Sequence, residues 1–257
     1  MRIALIATHH SDYAANLARA LARTHDVMLV LSRRSAARQI EPEALSALHA
    51  ALDLRIVPHH YAPLQPLIAR LCRRHIRRFG PDIVHVQEHP SRSMGMLARH
   101  LRGRYPLVTT VHDPRPHSGG DSKAAAAFEA HYAALRGLSN GLIVHGESLI
   151  GRLAETGVPR EKIVSIMHGV LRFGRQDEAP NNIPRPAPNR LIFFGRVEAY
   201  KGLDTLLAAN AIWRQAGAAV DLHIAGTGPE LDRHRTALSA PNITLIEGRV
   251  AQAELAR

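Results

Sequence analysis

In RLIFFGRVEAYKG (190–202) a glycine, Gly195, is followed at once by Arg196 and then by Lys201. The apolar run before the glycine, Leu191 to Phe194, reads as a buried strand, and a helix begins near Lys201. A strand end and a helix start both leave backbone N–H groups unpaired, and the helix adds the positive end of its dipole. Gly195 lets a ligand approach the backbone closely. Two cations at such a mouth suit a diphosphate. The same spacing also describes an ordinary βα turn with two solvated charges. Lysine is scarce, since Lys123, Lys162 and Lys201 are the only ones, so its presence here is not the habit of the chain.

A second set of candidates is imidazole. His112 and Asp113 follow the apolar run YPLVTTV, and a His-Asp pair at a strand end can orient the ring. Pro114 and Pro116 stiffen the loop that leads to His117. Thr8-His9-His10-Ser11 ends the first apolar run, and Glu88 and His89 follow IVHVQ. His168-Gly169 follows a strand expected over 163–167. Carboxyl ends of strands face the ligand crevice in open parallel sheets. His9, His10, Glu88, His117 and His168 are therefore candidates for acceptor or cleft contacts, and polar loop positions serve structure equally well. Gly226 and Gly228 permit a tight turn into Pro229, for packing or for ligand approach. The histidines are scattered, and no metal-ligand cluster stands at usable spacing.

Behind these residues lies an alternation of short apolar runs and amphipathic stretches. RIALIA (2–7), VMLVL (27–31), LRIV (54–57) and IVHV (83–86) read as strands, with helical stretches expected within 8–24, 41–52 and 63–82. That is a doubly wound sheet. The segment 172–189, rich in Pro, Asn and charge, reads as a linker between domains 1–171 and 190–257. The second domain shows three strands, 191–194, one in AVDLHIAG and one in NITLIEG. At 257 residues with 46% hydrophobic content the chain can bury one large core or two small ones. A lone cysteine, Cys72, excludes an internal disulfide and suits a reducing cytosol. The apolar start is too short for a signal peptide or membrane span. A net charge of +11 favours anionic partners. In the helical stretch within 63–82, Leu67, Ile68, Leu71, Cys72 and Ile76 share a face, and Arg70, Arg73, Arg74, Arg77 and Arg78 crowd the rest. Those arginines read as a solvated face or as a surface for anionic membrane lipid. Nucleic acid is disfavoured by the lack of interleaved aromatics. The absence of G-x-G-x-x-G after the first strand argues against a dinucleotide dehydrogenase.

FFGRVEAYKGLDTLL resembles the donor-site segment of the family 4 retaining glycosyltransferases, and HDPRPH and the stretch from LSNGLIVHGES to MHGV also resemble that family. The resemblance implies the GT-B arrangement, two Rossmann-like α/β domains facing a cleft, and sugar transfer from a nucleotide-sugar with retention of configuration. It implies that Arg196 and Lys201 hold the donor diphosphate and that His112 contacts the sugar. It places Gly248, Arg249 and Val250 beside the nucleobase and His168 at the cleft lip. It implies no cofactor beyond the nucleotide-sugar, no held metal, and a glycan or lipid-linked acceptor. Two departures stand out. The first loop carries His9 and His10 where the family usually has glycines. The Glu-x(7)-Glu motif expected further on has no residues to hold it, so the second domain is expected to be incomplete and the chain a fragment. A nucleotide-sugar 2-epimerase or phosphorylase of the same fold, or a binding protein without turnover, is the alternative.

Overall fold

A computed structural model describes residues 1–59, 62–115, 126–169, 188–248 and 250. These divide into two compact units, residues 1–169 and 188–250.

The first unit is a seven-stranded sheet in the order β3-β2-β1-β4-β5-β6-β7, every neighbouring pair parallel. The strands are β1 (Arg2–Ala7), β2 (Asp26–Ser32), β3 (Asp53–Val57), β4 (Ile83–Gln87), β5 (Leu107–Thr110), β6 (Gly141–Val144) and β7 (Ile163–Ser165). The helices are α1 (Ser11–Leu21), α2 (Arg33–Gln39), α3 (Pro42–Ala51), α4 (Gln65–Phe79), α5 (Arg92–Leu101), α6 (Glu129–Leu138) and α7 (Glu147–Ala154). Successive side chains of β1 alternate between two cores. Ile3, Leu5 and Ala7 pack with α1, α2 and α3, while Ala4 and Ile6 pack with α4, α5 and α6. A parallel sheet covered on both faces needs continuous apolar strands, which RIALIA and VMLVL supply. The order runs outward from β1 to β3, then returns to β4 on the other flank of β1. The switch point therefore lies at the carboxyl ends of β1 and β4.

The expected strands and long helices appear, with three differences. Helix α2 was not anticipated; Ser32 caps it, its hydroxyl accepting from Ser35 N–H at 3.4 Å. β7 is three residues long, shorter than expected. On α4 the buried residues are Gln65, Ile68, Ala69, Cys72, Ile76 and Phe79, while Leu67 is exposed. The linker expected at 172–189 lies, except for its last two residues, outside the described residues.

The second unit is a three-stranded parallel sheet, order β10-β9-β8, from β8 (Arg190–Arg196), β9 (Asp221–Thr227) and β10 (Ile243–Glu247). Helices α8 (Leu203–Gln215), α9 (Pro229–Arg233) and α10 (Arg235–Leu238) complete it. Leu203, Leu207, Leu222, Ile224, Leu231 and Leu238 form its core. β8 corrects the expectation of a buried strand, since Leu191, Ile192 and Phe194 are all exposed. Only Phe193 turns toward the core, because among the described residues one face of this sheet has no helices on it.

Candidate functional site

At the carboxyl edge of the seven-stranded sheet, β1, β4, β5, β6 and β7 each deliver histidine to one spot. Ring centroids of His9 and His10 lie 4.6 Å apart, and His9 lies 4.5 Å from His89. His10 stacks on His112 at 4.0 Å. His112 is 5.1 Å from His145, which is 4.8 Å from His168. Tyr13, from the first turn of α1, sits among them, with its ring 5.1, 5.2 and 5.0 Å from those of His112, His145 and His168. The sequence candidates His9, His10, His112 and His168 are thus brought together. Tyr13 and His145 were missed. His145 was legible by the same rule as the others, because it directly follows β6.

His10 is held at φ 53°, the one non-glycine positive φ among the described residues. That conformation is uncommon for a residue with a Cβ. It turns the chain from β1 into α1, where the His10 carbonyl accepts from Ala14 N–H at 2.9 Å. The ring thereby reaches His112. Burial, then the neighbouring imidazoles, pushes His10 down to about 3 and lowers His112 further still, for the same causes in the same order. Burial also lowers His145, against a hydrogen bond between its Nδ1 and the Ile166 carbonyl. At neutral pH His10, His112 and His145 are therefore uncharged. They offer ring faces and single donors or acceptors, which suit hydroxyls better than an anion.

A buried polar chain fixes His112. Its Nε2–H donates to Gln87 Oε1 at 3.0 Å, leaving Nδ1 with the lone pair. The Gln87 amide lies 3.4 Å from His85 Nε2, which meets the Thr110 hydroxyl at 2.8 Å. His85 is itself lowered to about 4, chiefly by burial. Gln87 was not singled out by sequence reading, since a strand glutamine carries no motif.

Glu88 corrects an expectation. Both carboxylate oxygens accept from Arg136, Nε and Nη2 each at 2.7 Å, with both side chains buried. Arg136 Nη1 also donates to the Pro114 carbonyl at 3.2 Å. Glu88 is thus engaged in tying α6 and the post-β5 loop to β4 and is not open to an acceptor. Burial raises its pKa against the pull of Arg136. Asp113 is exposed beside this loop. His117 lies outside the described residues.

In the second unit β8 runs through Arg196, and a short 3-10 turn, Ala199–Lys201, leads to α8. Buried Val197 and Leu203 anchor the two ends of the turn. Gly202 at φ 77° makes the entry into α8, a place that favours glycine. Arg196 Nη2 donates to the Tyr200 hydroxyl at 3.0 Å, and Lys201 Nζ stands 5.3 Å over the Tyr200 ring. Tyr200, unremarked in the sequence, thus organises both cations. The space beside Gly195 is open, as a ligand-facing glycine requires. Gly226 and Gly228 have another role. A Cβ on Gly226 would meet the Gly195 carbonyl oxygen at 1.9 Å, and one on Gly228 the Val197 oxygen at 2.1 Å, so these glycines serve close strand packing. Gly248, φ 125°, donates its N–H to the Gly226 carbonyl at 3.0 Å, and Val250 follows. Arg249 lies outside the described residues. Among the described residues no group of three or more His, Cys, Asp or Glu is arranged to hold a metal ion, and no helix is long and apolar enough to cross a membrane.

Comparison with known proteins agrees with this fold. The chain is 27% identical over 163 residues to glycogen synthase of Mycobacterium tuberculosis, which covers 61% of this chain and 38% of that protein. It therefore spans well under half the length of the curated relatives it matches. Among solved structures, Anabaena Alr3699/HepE in complex with UDP-glucose superposes with a TM-score of 0.65 at 14% identity, over 97% of this chain and 70% of that one. The UDP-GlcNAc 2-epimerase of Methanocaldococcus jannaschii gives 0.64 at 12%, over 100% and 75%. These likenesses show the GT-B fold, two Rossmann-like α/β units, and leave the chemistry to the site. The model of Glycosyltransferase Family 4 matches residues 3–170, which takes in the whole histidine edge from β1 to His168, and the chain belongs to that family.

Proposed function

We propose that this protein transfers a sugar from a nucleotide-sugar to a glycan or lipid-linked acceptor, with retention at the anomeric carbon. The observation that carries the reading is the edge of neutral imidazoles, built within the region that defines the family. Uncharged rings around Tyr13 suit the hydroxyls and faces of a sugar, and His112, with its Nδ1 lone pair, accepts from a sugar hydroxyl. Arg196 and Lys201, set by Tyr200, bind the donor diphosphate and offset the charge that grows on it as the glycosidic bond breaks. That is electrostatic stabilisation by preplaced groups. Gly195 admits the diphosphate to the backbone, and the chain after β10, at Gly248 and Val250, meets the base. The nucleotide is a co-substrate, and neither a further cofactor nor a metal takes part.

The test is incubation of the chain with radiolabelled nucleotide-sugars and candidate acceptors, followed by separation of donor, free sugar and product. Label appearing in acceptor, with the anomeric configuration of the donor, supports the reading. Label confined to an epimerised nucleotide-sugar would replace transfer with 2-epimerisation. Tight donor binding with no chemistry would leave a binding protein.

A further inference from the structure

The helical layer formed by α4, α5 and α6 carries a charge distribution that the sugar site does not use. Residues 62–107 hold nine arginines, and the only acidic residues among them are Asp82 and Glu88. Neither acid offsets the arginines. Asp82 accepts from the Arg2 backbone N–H at 2.7 Å, and Glu88 is buried on Arg136. On α4, Leu67, Arg70, Arg74 and Arg78 follow one exposed stripe at i+3 and i+4 spacing. α5 packs alongside α4 and extends the surface with Arg99 and Arg102. Among the described residues the side chains of these five arginines form no ion pair or hydrogen bond. Arg99 and Arg102 also rim an open recess of about 550 Å³ between α5 and α6, whose lining is completed by Ala133, Ala134, Gly137 and Leu138. Cationic rims over an apolar floor match a phosphate that carries a hydrocarbon neighbour.

We infer that the α4–α5 face docks the protein on a membrane leaflet rich in anionic phospholipid, with a headgroup phosphate at Arg99 and Arg102 and Leu67 at the interface. The partner is set by chemistry. A patch of arginine on two helices, α4 and α5, that carry no acidic residue attracts a negative surface, and each cation close to the leaflet strengthens the attraction. Guanidinium groups bind phosphate oxygens in pairs. The edge of histidines lies at the strand ends and takes no part in this contact. The inference rests on the charge layout and holds whether or not the protein transfers sugar.

The experiment is flotation of the full chain with vesicles of phosphatidylcholine alone or mixed with phosphatidylglycerol, at low and high salt. Arg70→Gln/Arg74→Gln/Arg78→Gln/Arg99→Gln/Arg102→Gln removes the patch. Arg19→Gln/Arg23→Gln/Arg33→Gln/Arg38→Gln, on the opposite helical layer, lowers net charge elsewhere. All these side chains are exposed, and melting curves verify that both variants fold. Expected are binding to phosphatidylglycerol vesicles only, loss at high salt, a loss of at least about tenfold in the first variant and little change in the second. Three results would overturn the inference: no binding by the unaltered chain, equal loss in both variants, or single-stranded RNA displacing the vesicles completely.

Discussion

In the seven-stranded sheet Leu5 and Leu29 sit side by side in register, fully buried, with helices over both faces. In the three-stranded sheet Ile192 and Phe194 are each 62% exposed, although their strand is as apolar and as parallel. The same contrast holds for charge. Arg136 and Glu88 form a bidentate pair sealed in the first unit, whereas Arg190 and Asp221 form a pair open to water in the second. Strand composition therefore does not set burial by itself. The number of layers around the strand does, and with it the energetic weight of each contact.

The largest difference should appear on cutting the ion pairs. Arg136→Met leaves a carboxylate buried without a partner and frees the post-β5 loop. We expect a loss of about 3–5 kcal/mol in urea unfolding. A loss below about 1 kcal/mol would mean that the pair is wet and that the two units do not differ as described. Next comes apolar truncation. Leu5→Ala opens a cavity and should cost about 2–5 kcal/mol, while Ile192→Ala, on the bare face, should stay within about 0.5 kcal/mol. Equal costs would show that the β8 face is covered in solution.

A smaller effect is set by pH. His10, His112 and His145 are lowered in the fold, so the unfolded chain binds protons first. Their contribution to stability is complete above the unfolded value of about 6.5 and is lost as pH falls below it. Melting temperature should therefore drop on acidification from about pH 7 to about pH 5, and His10→Gln should flatten that drop. An unchanged slope would argue against a buried, neutral cluster. The smallest effect, an unfolding midpoint that barely moves, is expected for Arg190→Gln, because the pair is exposed and screened by salt. A loss as large as that of Arg136→Met would erase the contrast.

Much of the first unit was legible in the sequence, because strands covered on both faces leave continuous apolar runs, and helices between them leave a 3.6-residue period. Strand ends could be located, and with them His9, His10, His112 and His168. The partners that hold those rings were not legible. Gln87 and Tyr13 act through distances that cross from one element to another, and no local pattern records them. Glu88 was misread for the same reason, since its partner Arg136 lies 48 residues away. Exposure of β8 was hidden because an apolar strand carries no mark of how many layers cover it.

The donor half of the proposed function rests on the two cations at the end of β8. Isothermal titration of a nucleoside diphosphate into the chain, beside the Arg196→Ala/Lys201→Ala variant, measures their part. Both side chains are exposed, so the variant should keep its fold. Charge-assisted contacts of roughly 1.5–3 kcal/mol each predict an affinity weakened by at least about tenfold. Unchanged affinity in the double variant would contradict the assignment of the diphosphate to this turn.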